Sequence, residues 1–261
     1  MPAIREPEAA VAIVEAGPPK NSVLLIRRAE REGDPWSGHW SLPGGRCEPQ
    51  DADLLDTALR ELAEECALHL GRSDMAEALP HMVARRRTPP FLLVAPFLFR
   101  VPEEVPAMVD PQEAVEALWV PLAVLADPSR HRLLPVPGVP PHVVYPAIDL
   151  TGPPLWGFTY RLLTDWLGLL PAGGAARDAG FAFAGGVLDF LLARGLSIRA
   201  GWTDCGGTRV AGIAGAIPRD DVLAWLARPG SSVPGVNRVE VRADAILITG
   251  LAFEEYSIRA V

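Results

Sequence analysis

The sequence predicts an α/β protein of two domains, in which strands and helices alternate along the chain. Short segments rich in Val, Ile and Leu indicate buried strands, and two longer segments show the apolar spacing of a helix. After Pro171 the composition changes to Ala and Gly, which is typical of a domain boundary. We therefore predict a first domain over residues 1–171, a linker over 172–185 and a small α+β domain over 186–261.

The first domain begins with two predicted strands, residues 9–16 and 22–28, separated by the turn Gly17-Pro18-Pro19. A loop ending in Pro43-Gly44-Gly45 leads to a predicted helix over 51–68, whose start Asp51 or Asp53 can cap. The remaining predicted elements of this domain are strands over 81–87, 91–101 and 117–120 and a regular amphipathic helix over 155–170.

The C-terminal domain shows a similar alternation but no motif that carries chemistry. Its predicted elements are helices near 186–194 and 219–228, strands over 196–203 and 207–217, a hairpin turning at 242–244 and a final strand over 252–260. This domain could form a homodimer interface, cover an active site or bind a separate partner, and the sequence leaves these alternatives open.

Charge and cysteine content narrow the class of partners. The chain carries 24 Lys and Arg against 32 Asp and Glu, a net charge of −8, which disfavours non-specific binding to nucleic acid or to an anionic membrane. Its most apolar run is far shorter than the ~20 residues of a membrane span, and glutamates interrupt the N-terminal segment where a signal peptide needs apolar residues. Three scattered cysteines do not make a disulfide framework. We expect a soluble, cytoplasmic protein that acts on a small molecule.

One face of the helix predicted over 51–68 is strongly acidic. Glu61, Glu64 and Glu65 stand at positions i, i+3 and i+4, where like charges destabilise a helix by roughly 0.2–0.5 kcal/mol per pair. A divalent cation bound by carboxylate oxygens would supply the missing counter-charge. A solvated acidic face is the alternative for three glutamates taken alone.

The stretch from Pro43-Gly44-Gly45 to Arg60-Glu61-Leu62-Ala63-Glu64-Glu65 resembles the Nudix box, G-x5-E-x7-R-E-U-x-E-E-x-G-U, where U is a bulky aliphatic residue. The resemblance covers about residues 10–170. Its flanking segments, LLIRRAEREGDPWSGHWSLPGG and EPQDADLLDTALRELAEECAL among them, are similar to the coenzyme A pyrophosphatase-like branch. The resemblance implies a Nudix α/β/α sandwich with a mixed sheet.

The resemblance also implies hydrolysis of a nucleoside diphosphate linked to another moiety. The first substrate it suggests is coenzyme A or acyl-coenzyme A, cleaved to phosphopantetheine and adenosine 3′,5′-bisphosphate. Asp34 stands four residues before Gly38, where that branch has an arginine, so other substrates stay open. The alternatives are ADP-ribose, a nucleotide sugar, a prenyl diphosphate, or a non-catalytic member of the family that senses a ligand.

Two positions of the box depart from the pattern. The spacer from Gly45 to Arg60 is one residue longer than in the generic box, so Asp51 and Asp53 are both candidates for its first acidic position. Ala67 occupies the place of the glycine, and a left-handed alanine there would cost about 1 kcal/mol.

By resemblance, four groups would hold Mg²⁺ or Mn²⁺, namely the carboxylates of Glu61, Glu64 and Glu65 and a backbone carbonyl at Gly45 or its neighbour Gly44. Arg60 could orient one carboxylate by a charge-assisted hydrogen bond. The general base is open between Glu65 and Glu113, which lies six residues before Trp119.

Three residues are candidates for substrate binding, namely Arg28, Arg86 and Trp40. Arginines bind phosphates bidentately, but side chains alternate along a strand, so at most two of residues 85–87 reach a common site. Trp36 or Trp40 could stack on a base, with packing of the loop as the alternative.

Overall fold

The computed structural model describes residues 6–32, 37–84, 92–171, 173–229 and 236–261. They fall into two compact units, one ending at Leu125 and the other beginning at Ala126, and each has its own sheet and core. None of the helices in these described ranges has the length and apolarity that crossing a membrane requires.

The first unit is built on an eight-stranded mixed sheet. Its strands are β1 (Ala9–Ala16), β2 (Ser22–Arg28), β3 (Trp40–Ser41), β4 (Gly44–Arg46), β5 (Met75–Ala78), β6 (Met82–Ala84), β7 (Leu92–Val101) and β8 (Ala114–Pro121). The order is β3-β2-β1-β7-β5, and β4, β6 and β8 pair with β1, β7 and β2 respectively. Only the β1–β7 pair among these is parallel. The helices of this unit are α1 (Leu54–Cys66) and the short α2 (Leu122–Leu125).

Helix α1 packs on one face of this sheet and carries the acidic residues. Its buried apolar residues are Leu55, Ala58, Leu62 and Cys66, which share a core with alternate residues of β1 and with Leu24 and Ile26 of β2. The Asp53 carboxylate accepts a hydrogen bond of 2.9 Å from the backbone N–H of Asp56 and so caps the start. The helix ends at Ala67, whose backbone is left-handed with φ 51°.

Ala67 gives a direct test of how this helix ends. Because a non-glycine residue is strained in the left-handed region, Ala67→Gly is expected to raise the free energy of unfolding by about 1 kcal/mol. Ala63→Gly, inside the same helix, is the control and should lower it by about 1 kcal/mol. Denaturant titration measures both, and a destabilised Ala67→Gly variant would contradict the strain at this position.

The second unit contains another mixed sheet of eight strands. These are β9 (His131–Pro135), β10 (Val143–Ile148), β11 (Leu155–Trp156), β12 (Ser197–Cys205), β13 (Thr208–Ala214), β14 (Val236–Val241), β15 (Ala245–Gly250) and β16 (Glu255–Ala260). The order is β11-β10-β14-β15-β16-β13-β12, with β9 on β10. Its helices are α3 (Gly157–Trp166), α4 (Gly173–Ala193) and α5 (Arg219–Leu226), and α4 packs over the strands through Ala184, Val187, Leu188 and Leu191. The α/β class, the mixed sheets and the strand-rich C-terminal region are therefore confirmed.

The predicted boundary and linker need correction. Strands β9 to β11 and helix α3 lie before residue 171 yet belong to the second unit, because β10 pairs with β14 with Val143 opposite Glu240. Residues 173–193 form one helix rather than part of a linker. Alanine has the highest helix propensity but gives no apolar spacing to detect, so an Ala- and Gly-rich helix is easily mistaken for a flexible segment.

Candidate active site

The two glycines of β4 bring the backbone close to both β1 and α1. Gly44 and Gly45 lie opposite Val11 and Ala10 in the sheet. A methyl group on Gly44 would lie 2.7 Å from the Cα atom of Val11, and one on Gly45 would lie 2.6 Å from the Cδ atom of Glu61. Only glycine therefore permits this approach of strand, neighbouring strand and acidic helix.

Glu65 is the most buried of the three helical glutamates, with 4% of its surface exposed. Its Oε2 atom accepts a hydrogen bond of 2.8 Å from the backbone N–H of Gly44. Burial raises the pKa of Glu65 to about 8, the charges of Glu61 and Glu113 add to the rise, and the Gly44 hydrogen bond and the Arg28 charge oppose it. A cation placed against this carboxyl group would favour its ionised form.

Glu61 and Glu64 lie beside it at different depths. The Glu61 side chain is 14% exposed and the Glu64 side chain 56%. Burial raises the pKa of Glu61, the Arg60 guanidinium lowers it, and the charges of Glu64 and Glu113 raise it further. Glu61, Glu64 and Glu65 thus lie together on α1 and are called the acidic cluster below.

Arg60 contacts three carboxylates at once. Its Nε and Nη2 atoms donate to the two oxygens of Asp51, at 3.0 and 3.1 Å. Its Nη1 atom donates to Glu61 at 3.0 Å and to Glu64 at 2.8 Å, and Nη2 also donates to the carbonyl of Arg46 at 3.0 Å. We predicted that Arg60 orients one carboxylate. In the structure it orients two, because it links Glu61 and Glu64 to the buried carboxylate of Asp51.

Asp51 and Asp53, the two candidates for the first acidic position of the box, make different contacts in the structure. The Asp51 side chain is 3% exposed and accepts hydrogen bonds from the Thr57 hydroxyl and the Glu48 N–H, each at 2.9 Å. The bond from Arg60 is the largest cause that lowers the pKa of Asp51 to about 2. Asp53 instead caps α1 and forms an exposed ion pair of 2.6 Å with Arg72. Asp51 is the partner of Arg60.

Glu113 lies in the loop before β8 and acts on the acidic cluster through its charge. Its charge raises the pKa of both Glu61 and Glu65, so its carboxylate acts on the same region. It forms an ion pair of 2.9 Å with Arg31, and its side chain is 39% exposed. Glu65 and Glu113 both remain predicted candidates for the general base.

The structure places the predicted substrate-binding residues in different environments. Arg28, at the end of β2, lowers the pKa of Glu65 by its charge and so acts on the acidic cluster. Trp40 is only 3% exposed, so stacking on a base is corrected to packing in the interior. Arg86, Trp36 and Asp34 lie outside the described residues.

The acidic cluster does not form a ready-made metal site. Within the described ranges, no three His, Cys, Asp or Glu side chains are arranged to hold an ion. Arg60 engages Glu61 and Glu64, and Gly44 engages Glu65. The donors are nevertheless carboxylate oxygens beside a backbone strand, which suit a hard divalent cation once these side chains turn toward it.

The family model of the NUDIX domain matches residues 6–136, which is half of the chain. The chain belongs to the NUDIX family. Asp51 lies six residues after Gly45, which is the spacing of the first acidic position in the Nudix box.

Two curated relatives show how far the similarity extends. An uncharacterized protein of Schizosaccharomyces pombe is 37% identical over 112 residues, which are 41% of this chain and 34% of the relative. An uncharacterized Nudix hydrolase NudL of Yersinia pestis (strain Pestoides F) is 29% identical over 128 residues, 49% of this chain and 62% of the relative. The chain thus spans less than two thirds of the length of either relative.

Solved structures of the family are similar at low sequence identity. The NUDIX domain of Shewanella oneidensis NrtR complexed with ADP ribose is 23% identical, with a TM-score of 0.37 and coverage of 46% of this chain and 77% of that one. A MutT/nudix family protein from Enterococcus faecalis is 18% identical, with a TM-score of 0.41 and coverage of 62% and 61%. The family assignment rests on the domain match rather than on these scores.

Proposed function

We propose that this NUDIX protein is a divalent-cation-dependent hydrolase of the diphosphate linkage in a nucleoside diphosphate derivative. The observation that carries the proposal is the acidic cluster held against the backbone of Gly44 and Gly45. Membership of the NUDIX family supports the same reaction class. The similarity of the box and its flanking segments to the coenzyme A pyrophosphatase-like branch makes coenzyme A, or an acyl derivative, the first substrate to test.

Separate residues would bind the cation, orient its ligands and accept a proton. Mg²⁺ or Mn²⁺, held by Glu61, Glu64, Glu65 and the Gly45 carbonyl, would offset the charge of the diphosphate and lower the pKa of a bound water. Arg60 keeps two of these carboxylates in place through its bonds to Glu61 and Glu64. Glu65 is oriented by the Gly44 N–H. A proton of the attacking water would pass to Glu65 or Glu113.

Arginine side chains would bind the phosphate groups of the substrate. Arg28 acts on Glu65 through its charge and would bind a phosphate oxygen there, and Arg86 is proposed on its sequence alone. ADP-ribose, a nucleotide sugar and a prenyl diphosphate remain alternative substrates. A ligand-sensing, non-catalytic protein is the alternative function, which the presence of all three box glutamates disfavours.

A substrate screen on the full chain tests the proposal. We expect Mg²⁺- or Mn²⁺-dependent cleavage of one diphosphate among coenzyme A, ADP-ribose, nucleotide sugars and prenyl diphosphates. Glu64→Gln removes one carboxylate charge and should lower kcat by ~10²-fold or more. Glu103→Gln, an exposed glutamate outside α1, is the matched control and should retain wild-type activity.

The outcomes separate the alternatives. Cleavage of coenzyme A to phosphopantetheine and adenosine 3′,5′-bisphosphate, lost in Glu64→Gln, would support both the reaction and the substrate. Cleavage of a different diphosphate would keep the reaction and replace the substrate. Full activity in Glu64→Gln would remove the acidic cluster from the mechanism, and no cleavage by a chain that binds Mn²⁺ would favour the sensing function.

A further inference from the structure

Asp51 makes two sets of hydrogen bonds, one within its own loop and one with α1. In the loop, its N–H donates to the Glu48 carbonyl at 3.0 Å, and its Oδ2 atom accepts from the Glu48 N–H at 2.9 Å. On the helix side, the same Oδ2 atom accepts from the Thr57 hydroxyl at 2.9 Å and from Arg60 Nη2 at 3.1 Å. Thr57 and Arg60 therefore hold Asp51 against α1.

Thr57 is fully buried, and its hydroxyl group donates to Asp51. Its exposed surface is 0%. Its Oγ1 atom lies 2.9 Å from Oδ2 of Asp51 and 3.4 Å from the carbonyl oxygen of Asp53. A hydroxyl group has one proton, and the shorter bond to a charged acceptor is the stronger of the two. Valine has the same branched shape as threonine, so packing alone does not account for a hydroxyl group at this position.

The plane of the Asp51 carboxylate sets the direction of the Arg60 guanidinium. The two groups form a bidentate pair through Nε and Nη2, which fixes the planar guanidinium relative to the carboxylate. The terminal torsion of an aspartate is only weakly restricted, so its contacts decide its plane. The remaining Nη1 atom of Arg60 donates to Glu61 at 3.0 Å and to Glu64 at 2.8 Å. A turned Asp51 carboxylate would therefore move the donor that these two glutamates share.

We propose that Thr57 is a positioning residue for the proposed cation ligands. Its hydroxyl group fixes the Asp51 carboxylate, which in turn directs Arg60 at its two glutamates. Thr57 and Arg60 stand three residues apart on α1 and so share a face of the helix. The inference rests on the cation binding of the proposed function, and Thr57 acts on it only through Asp51 and Arg60.

Thr57→Val and Thr57→Ser in the full chain test this role. Thr57→Val removes the hydroxyl group and should weaken Mn²⁺ binding by ~10-fold in calorimetric titration, a loss typical of residues that orient metal ligands. At saturating Mn²⁺ it should lower kcat with little change in KM, because the hydroxyl group does not contact the substrate. Thr57→Ser keeps the hydroxyl group and should retain Mn²⁺ affinity and kcat, although the lost methyl group lowers its unfolding midpoint.

Thr164→Val is the matched control. Thr164 is 1% exposed on α3, and its hydroxyl group donates to the Tyr160 carbonyl of the same helix at 2.7 Å. This variant should keep the wild-type Mn²⁺ affinity and kcat. A second control combines Asp51→Asn with Arg60→Met. In that background Thr57→Val should weaken Mn²⁺ binding no further, because the groups through which it acts are absent.

Mn²⁺ binding and turnover separate this inference from the proposed function. Mn²⁺ binding in the expected order by a chain that cleaves no diphosphate would support the inference and remove the proposed hydrolysis. Turnover by the wild type, with unchanged or tighter Mn²⁺ binding in Thr57→Val, would keep the hydrolysis and overturn the inference. Equal losses in Thr57→Val and Thr57→Ser, or a further loss in the background without Arg60, would also overturn it. If the wild type binds no Mn²⁺, both proposals fail.

Discussion

Replacing Gly45 by alanine is expected to lower kcat by ~10²-fold while leaving the chain folded. The new methyl group would occupy the space of the Glu61 carboxylate, with its carbon 2.6 Å from Cδ. That carboxylate is the end of a flexible side chain and can turn away at little cost to folding. Displacement of a catalytic group by about 1 Å is enough to cost ~10² in rate. Turnover of the substrate identified in the screen, Mn²⁺ affinity and the unfolding midpoint measure the effect.

Gly44→Ala is the control, and its main effect should be a loss of stability. Gly44 has φ +154°, and a methyl group there would lie 2.7 Å from the Cα atom of Val11, in the backbone of the neighbouring strand. Because that backbone cannot turn away, the unfolding midpoint of this variant should fall, whereas that of Gly45→Ala should not. Wild-type kcat and Mn²⁺ affinity in Gly45→Ala would show that Glu61 need not occupy its observed position, and would remove it from the proposed ligands.

The acidic face of α1 could be predicted because helical spacing is a local property. Glu61, Glu64 and Glu65 lie on one face wherever residues 54–66 are helical, and Asp53 is a suitable capping residue in any such helix. The long apolar strands β1, β2 and β7 were predicted for the same reason. The strands of two to four residues, such as β3 and β4, carry no comparable pattern.

The contacts between distant residues could not be predicted from spacing. Arg31 meets Glu113 only because β2 and β8 pair antiparallel, with Arg28 opposite Ala114. An aromatic residue in a loop is equally suited to stacking and to packing, and only the folded structure, in which Trp40 is 3% exposed, shows that it is buried. These features depend on tertiary pairing, which no local signal in the sequence specifies.

Arg60→Ala is expected to lower the free energy of unfolding by ~3–5 kcal/mol, since it removes one partner of a buried ion pair. The side chains of Arg60 and Asp51 are 15% and 3% exposed. With its folded-state pKa at about 2, below the ordinary value of 3.8, Asp51 is charged at neutral pH. The remaining hydrogen bonds, from Thr57 and Glu48, leave that charge uncompensated. Because the chain has two units that can unfold separately, hydrogen exchange of the α1 amides should accompany denaturant titration.

Arg72→Ala is the matched control at the start of the same helix, because Arg72 pairs with its capping residue Asp53 and both side chains are about half exposed, at 52% and 48%. It should lower the free energy of unfolding far less than Arg60→Ala does, because exposed ion pairs contribute little to stability. A loss in Arg60→Ala no larger than in Arg72→Ala would contradict the buried pair. Replacing both partners, by Asp51→Asn with Arg60→Met, removes the uncompensated charge and should recover much of the stability. Turnover should stay low, because Glu61 and Glu64 still lack the donor that holds them. Stability recovered without activity would therefore separate the two tasks of Arg60, which are to neutralise Asp51 and to hold the proposed metal ligands.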